Sequence, residues 1–167
     1  MNNNSIVRSH IAWCLQQKRG IRIEEPNDNL SDVYIKKAIS SLNMLESAIE
    51  KNEIEWISTT AYYARYFAVY AMLQKCGIRS EIHDCTISLL QLLFVEEKII
   101  ETQYYNEMKR SKELRIEIQY YTSEKADIKS IKKDSLKATN FVLKIEEIIE
   151  KLNDSLIGLI RQKLIAC

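Results

Sequence analysis

A scarcity of residues that break helices is the feature that most restricts how this chain can fold. Its 167 residues include three glycines and one proline, and neither type occurs between Ile78 and Ile157. A β-sandwich or barrel needs frequent turns, and turns draw on glycine and proline, whereas helices need neither. The sequence therefore predicts an all-α protein, built as an antiparallel bundle of about five to six helices.

Apolar residues recur at helical spacing along most of the chain. Helices are expected over residues 5–18, 31–51, 53–76, 80–121 with a weak break near 96–98, and 126–152. The only proline, Pro26, lies in a loop expected over residues 21–30. Gly77 should end the third helix in a left-handed conformation, and Gly158 should let the C-terminal end fray. We expect residues 1–30 to pack, as a helix and a connecting loop, on a bundle formed by residues 31–167.

The charge balance restricts the partners of the chain. Lys and Arg number 24 and Asp and Glu 23, which gives a formal charge of +1. This balance argues against a strongly basic nucleic-acid clamp and against an acidic tail, although a local patch is compatible with it. No run of eighteen apolar residues is present, and the first residues lack the features of a signal peptide, so we expect a cytoplasmic protein without membrane contact.

The cysteines and the familiar catalytic motifs indicate neither a metal nor a cofactor. Cys14, Cys76, Cys85 and Cys167 form no CxxC pair and show no histidine at zinc-ligand spacing, so buried free thiols are expected. The abundance of Ile, Lys, Glu and Tyr is typical of thermophilic proteins, in which intracellular disulfides are less unusual, so a disulfide is the alternative. Glycine-rich phosphate loops, HExxH and GxSxG are absent from the sequence.

Three groups of residues are candidates for a binding or catalytic site. Tyr62, Tyr66 and Tyr70 form one stripe with Arg65 beside it, which predicts either an aromatic core or a stacking surface for bases. Arg79 and His83 stand one helical turn apart, and His83 is either a core or capping residue or an acid–base group. The third group, Arg115, Gln119 and Tyr120, is by itself an exposed polar face.

The segments AYYARYFAVYAML (61–73) and CGIRSEIH (76–83) resemble the HEPN (higher eukaryote and prokaryote nucleotide-binding) family. The likeness extends to RIEIQY (115–120) and ATNFV (138–142), and covers residues 30–152. It implies a HEPN-like bundle that commonly forms a homodimer. Many members of the family are encoded beside a minimal nucleotidyltransferase, and a number of them are ribonuclease toxins.

The resemblance also implies a site. Active members carry an Arg, a His four to six residues later, and a nearby Tyr; the matching turn here is Arg115 to Tyr120, with Gln119 at the His position. Glutamine does not exchange a proton at neutral pH, so the general acid–base contribution to RNA cleavage is missing. Arg115 is still expected to bind phosphate.

The leading hypothesis is a HEPN-domain protein that acts by association and is catalytically weak or inactive. It would form a homodimer and pair with a minimal nucleotidyltransferase in a toxin–antitoxin-like system. The rival hypothesis is a metal-independent endoribonuclease that combines Arg115 with His83, and a third is a plain helical adaptor. RNA or nucleotide binding is assigned to Arg115, Tyr120, Arg65 and Arg79. Arg115 and Tyr120 are expected to face a cleft between the third and fifth segments, with Arg65 and His83 as neighbours.

Overall fold

A computed structural model describes residues 3–120 and 128–167 of the chain. Within them, seven α-helices and one π-helical segment account for most residues, which confirms the predicted all-α architecture. The helices are α1 (Asn3–Gln16), α2 (Asp28–Glu50), α3 (Ile54–Lys75), α4 (His83–Leu89), α5 (Thr102–Tyr120), α6 (Ile128–Lys151) and α7 (Asp154–Ile165). The π-helical segment, Leu90–Val95, continues α4 directly. The helix boundaries predicted at residues 121 and 126 lie outside the described residues.

Helix α3 occupies the centre of the bundle and packs against α2, α5 and α6. Its alanines explain this position, because Ala61, Ala64 and Ala68 are almost wholly buried and allow neighbouring helices to approach closely. Tyr62, Tyr66 and Tyr70 are buried on the same helix, with exposed fractions of 0%, 7% and 7%. The tyrosine stripe is therefore part of an aromatic core, which was the first of the two interpretations, and not a stacking surface for bases.

The loop predicted over residues 21–30 begins with a strand. Strand β1 (Ile21–Ile23) pairs antiparallel with β2 (Ile78–Ser80), which follows α3 directly. Gly77 makes this turn with φ +68°, as predicted, and a Cβ there would lie 2.4 Å from the Glu24 carbonyl oxygen. Because β2 occupies residues 78–80, α4 begins at His83, three residues later than expected.

Two helix ends also differ from the prediction. Helix α2 begins at Asp28, three residues before the predicted start at residue 31, and Asn27 caps it, because the Asn27 side chain accepts a hydrogen bond from the Leu30 backbone N–H at 2.9 Å. Helix α7 continues through Gly158 to Ile165. Asn153 caps that helix in the same way, through the Leu156 backbone N–H, and this cap holds its first turn.

The expectation of free thiols is wrong for two of the four cysteines. Cys14 on α1 and Cys85 on α4 form a disulfide with a Cα–Cα distance of 5.9 Å. Cys76 is buried and free, and Cys167 is free and partly exposed. The disulfide therefore ties the N-terminal helix to the short helix that begins at His83. None of the described helices combines the length and the apolarity that a bilayer crossing requires.

Candidate functional site

Arg115 lies on α5 against the aromatic face of α3. Its guanidinium carbon is 4.9 Å from the centre of the Tyr62 ring and 5.8 Å from that of Tyr63. The ring faces attract the cation and fix the plane of its fork. The Arg115 Nε is buried, and none of the described residues provides a hydrogen-bond partner for it. The guanidinium therefore keeps a donor that no protein group in the described ranges uses.

His83, the first residue of α4, contacts the Tyr62 hydroxyl. Its Nδ1 lies 2.6 Å from that oxygen, and its ring stacks on Tyr66 with the centres 4.1 Å apart. The contact with Tyr62 brings His83 and Arg115 to the same tyrosine. The sequence identified both residues as candidates but could not show that they contact the same tyrosine, because that contact depends on how α3, α4 and α5 pack.

The surroundings of His83 favour its neutral form. Burial lowers the pKa of His83 below its usual value, and the positive charges of Arg115 and Lys112 lower it further, while Asp84 opposes them. Burial also raises the pKa of the Tyr62 hydroxyl, so this group stays protonated. The hydroxyl can donate to Nδ1 or accept from it; in the second case Nε2 of the imidazole keeps a lone pair that can take up a proton.

Lys112 adds a second cation beside Arg115. It lies three residues before Arg115 on α5, hence on the same side of the helix, and pairs with Asp84 of α4. Lys112 was not among the predicted site residues, although its spacing from Arg115 could have pointed to it.

Gln119 and Tyr120 differ in what they contact. The Gln119 Nε2 donates a hydrogen bond to the Thr59 hydroxyl of α3 at 3.1 Å, so the side chain is held at the edge of the α3–α5 contact. Tyr120 is 75% exposed and, as the next residue along the helix, projects about 100° away from Gln119. The structure thus gathers Arg115, His83 and Tyr62, with Gln119 one turn from Arg115.

Arg65 requires a correction, because it was expected to bind RNA or nucleotide. The whole residue is buried, and its guanidinium donates to the Asp134 carbonyl oxygen at 2.7 Å and to the Ser111 hydroxyl at 3.1 Å. Burial lowers the pKa of Arg65, and the Asp134 carboxylate opposes that effect. Arg65 is a structural link between α3, α5 and α6, inaccessible to a ligand in the folded chain.

Arg79 lines a groove that Arg115 does not line. The groove has a volume of about 540 Å³ and is lined by Tyr34, Phe67, Tyr70 and Lys37, among others. Arg79 is half exposed there and pairs with Glu81 at 2.6 Å and with Glu24 at 3.6 Å. Two carboxylates therefore already offset its charge.

Among the residues that the structure describes, one group could hold a metal ion once its disulfide is reduced. The ligand atoms of His10, Cys14 and Cys85 all lie within 4.8 Å of one another. This corrects the expectation that no histidine stands at ligand spacing from a cysteine, since His10 lies one helical turn before Cys14. That spacing was visible in the sequence, but the approach of Cys85 was not.

The comparisons with known proteins agree with this architecture. No curated protein matches the sequence. The family model of the HEPN domain matches residues 31–155, from the first turn of α2 into α7, and therefore most of the chain. HEPN domains are helical, include ribonuclease toxins and antitoxin-like members, and often dimerise. With its central tyrosine-rich helix inside the matched region, the chain belongs to the HEPN-domain family.

Proposed function

We propose that this HEPN-domain protein binds RNA or nucleotide phosphate at Arg115 and acts by association, with weak turnover or none. The observation that carries the proposal is the Arg115 guanidinium, which lies over the Tyr62 ring on a partly exposed side chain and whose Nε has no hydrogen-bond partner among the described residues. A planar fork of this kind matches two phosphate oxygens. Lys112 lies on the same side of α5, but Asp84 already pairs with its ammonium group, so Arg115 is the main cation of the site.

Gln119 supports the weak-turnover part of the proposal. It stands where the family resemblance places a histidine, and its amide already donates to Thr59. An amide neither takes nor gives a proton at neutral pH, so the acid–base factor of about 10²–10⁴ is missing at this position. Arg115 alone can hold and neutralise a phosphate.

The association part extends the proposal to partners and location. We propose a cytoplasmic homodimer that pairs with a minimal nucleotidyltransferase, in a toxin–antitoxin-like arrangement. The tendency of HEPN domains to dimerise supports the first half. Light scattering on the purified chain should give the mass of a dimer, and a strict monomer at micromolar concentration would contradict it. Co-purification with a nucleotidyltransferase encoded beside this chain tests the second half.

Fluorescence anisotropy with a labelled single-stranded RNA tests the binding site. Replacing Arg115 with Ala should weaken binding about 10- to 100-fold, the value of one or more charge-assisted hydrogen bonds of about 1.5–3 kcal/mol. Arg115→Lys should recover part of this affinity because it restores the charge but not the fork. The slope of log affinity against log salt should become shallower by about 0.7 for each phosphate that the protein no longer neutralises.

Arg110→Ala is the matched control. Arg110 lies on the same helix and its side chain is 57% exposed, but it faces Asp134 on α6. We expect its replacement to change RNA affinity less than about threefold, since a distant surface charge acts only through the screened field. Equal losses of affinity in the Arg110 and Arg115 variants would contradict a specific site at Arg115.

One observation favours a second function, a metal-independent endoribonuclease. His83, held by Tyr62 beside Arg115, is a half-buried imidazole with a lowered pKa, which suits a general base. In such a reaction His83 removes the 2′-hydroxyl proton, the 2′-oxygen attacks phosphorus, and the 5′-oxygen leaves with a proton from water. Arg115 stabilises the charge on the phosphorane oxygens.

Cleavage of labelled RNA in EDTA separates the two functions. Under the leading proposal the wild type binds RNA without cutting it. Under the second, the wild type cuts, His83→Ala abolishes cutting but keeps binding, and Gln119→Ala retains cutting. Cutting that survives both His83→Ala and Arg115→Ala would come from a contaminant and would contradict the second function.

A further inference from the structure

We propose that the reduced protein binds one thiophilic metal ion, of the Zn²⁺ class, through Cys14, Cys85 and His10. The disulfide is then the metal-free, oxidised form of the same site. The two cysteines come from α1 and α4, and the histidine lies one turn before Cys14 on α1. The inference is independent of RNA binding and of Arg115.

The distances fit a tetrahedral ion. Zinc bonds of about 2.3 Å to sulfur and about 2.0–2.1 Å to nitrogen place neighbouring ligands about 3.6 Å (S to N) and about 3.8 Å (S to S) apart. The His10 Nε2 already lies 3.8 Å from the Cys14 sulfur, and all three ligand atoms lie within 4.8 Å of one another. Once the disulfide is opened, the two sulfurs need only separate to ordinary contact distance.

The second nitrogen of His10 is held as it is in zinc sites. The Ser88 hydroxyl lies 2.8 Å from Nδ1, and the imidazole stacks on Trp13 with an interplanar angle of 10°. When the serine oxygen accepts a hydrogen bond from Nδ1–H, Nε2 keeps its lone pair and faces the sulfurs. Partners of this kind orient a ligand and raise metal affinity about 10- to 100-fold.

A cleft gives the ion a route to the site. It has a volume of about 260 Å³, and His10 and Ser88 line it together with Asp84 and Glu113. A water molecule entering from the cleft supplies the fourth ligand. Two thiolates and an imidazole favour Zn²⁺ and similar ions over Mg²⁺ or Ca²⁺, which prefer oxygen.

Reduction and metal binding balance in electrons and protons. A phosphine reductant takes the disulfide to two thiols: the phosphorus gives two electrons to the sulfurs, and one water molecule supplies the oxygen of the phosphine oxide and the two thiol protons. The ion then displaces both thiol protons and binds two thiolates. In a cell a dithiol of the thioredoxin type is the equivalent reductant.

Cobalt titration of the full chain, reduced with a phosphine and freed of metal, tests the proposal. We expect one Co²⁺ per chain, with a thiolate-to-cobalt charge-transfer band and tetrahedral d–d bands, both removed by Zn²⁺. The oxidised chain should show neither band. His10→Ala should weaken Zn²⁺ binding at least tenfold, and Ser88→Ala about 10- to 100-fold, although both variants still form the disulfide.

Cys76→Ser is the matched control, because burial raises the pKa of the Cys76 thiol to about 12 and keeps it protonated. This variant should bind Co²⁺ like the wild type. The proposal is overturned if the reduced, folded wild type takes up no stoichiometric Co²⁺. It is also overturned if His10→Ala and Ser88→Ala bind as tightly as the wild type, and these variants keep both cysteines, so misfolding of a cysteine variant does not affect the test.

Discussion

Replacing Arg65 with Ala should cost far more stability than replacing any exposed arginine of the chain. The guanidinium is fully buried, donates to Asp134 and Ser111, and lies 3.7 Å from the Asp134 carboxylate. Alanine removes both donors and leaves Asp134, itself only 8% exposed, with a weaker partner. Removal of the long Arg65 stem also opens a cavity where three helices meet.

The magnitude follows from these interactions. Two charge-assisted hydrogen bonds are worth about 1.5–3 kcal/mol each, and removing one member of a buried ion pair costs about 3–5 kcal/mol. We therefore expect Arg65→Ala to lower the free energy of unfolding by about 3–5 kcal/mol, which is a large part of the roughly 5–15 kcal/mol that holds a domain together. Arg65→Lys should recover only a part of this stability, because one ammonium cannot reach both acceptors.

Urea unfolding followed by circular dichroism measures the difference, with the disulfide kept oxidised in every variant. Arg110→Ala is again the control: Arg110 faces the same Asp134 at 3.7 Å but is 57% exposed. Its removal should cost less than about 1 kcal/mol. If Arg65→Ala proves no more destabilising than Arg110→Ala, the assignment of Arg65 to the core is refuted and its assignment to ligand binding has to be reconsidered.

Four further predictions concern the turn after α3, Gly158 on α7, His83 and Gln119. Gly77→Ala should lower the free energy of unfolding by more than about 2 kcal/mol, because φ is +68° and the new Cβ would strike backbone. Gly158 lies in a helix with open space around its Cα, so Gly158→Ala should raise the free energy of unfolding by about 0.5–1 kcal/mol in the same urea assay. His83 has a lowered pKa in the folded chain, so the unfolded chain binds the proton first. Stability should therefore fall as the pH drops below about 6.5 and level off below the folded pKa, and His83→Gln should remove that dependence in unfolding curves from about pH 8 to about pH 5. Gln119→His should raise RNA cleavage in EDTA if the turn is still built for catalysis; an unchanged rate would show that the site lacks more than one catalytic residue.

The sequence was most informative about features that depend on neighbours along the chain. The lack of glycine and proline, the apolar spacing and the position of Gly77 are local properties, and the helices follow them closely. Arg115 and Gln119 could be placed on one side of α5 because a helix sets that spacing.

Features that depend on distant residues could not be predicted in this way. Arginine is a residue type that usually lies at the protein surface. Arg65 is buried only because it packs against Ser111 and Asp134, which belong to two other helices. The strand pairing of residues 21–23 with 78–80 joins two segments of three residues each, which are too short for a periodic signal. The contact of His83 with Tyr62 arises from the packing of α4 on α3.

The most direct test of the central claim observes the Arg115 side chain itself. The ¹⁵N–¹H resonance of its Nε–H group, assigned by its disappearance in Arg115→Lys, should shift progressively as a short single-stranded RNA is added. The Nε–H of Arg65, which is buried in the core and closed to solvent, should stay in place. An Arg115 resonance that does not move at saturating RNA, or shifts confined to Arg79, would contradict the claim that this HEPN domain binds phosphate at Arg115.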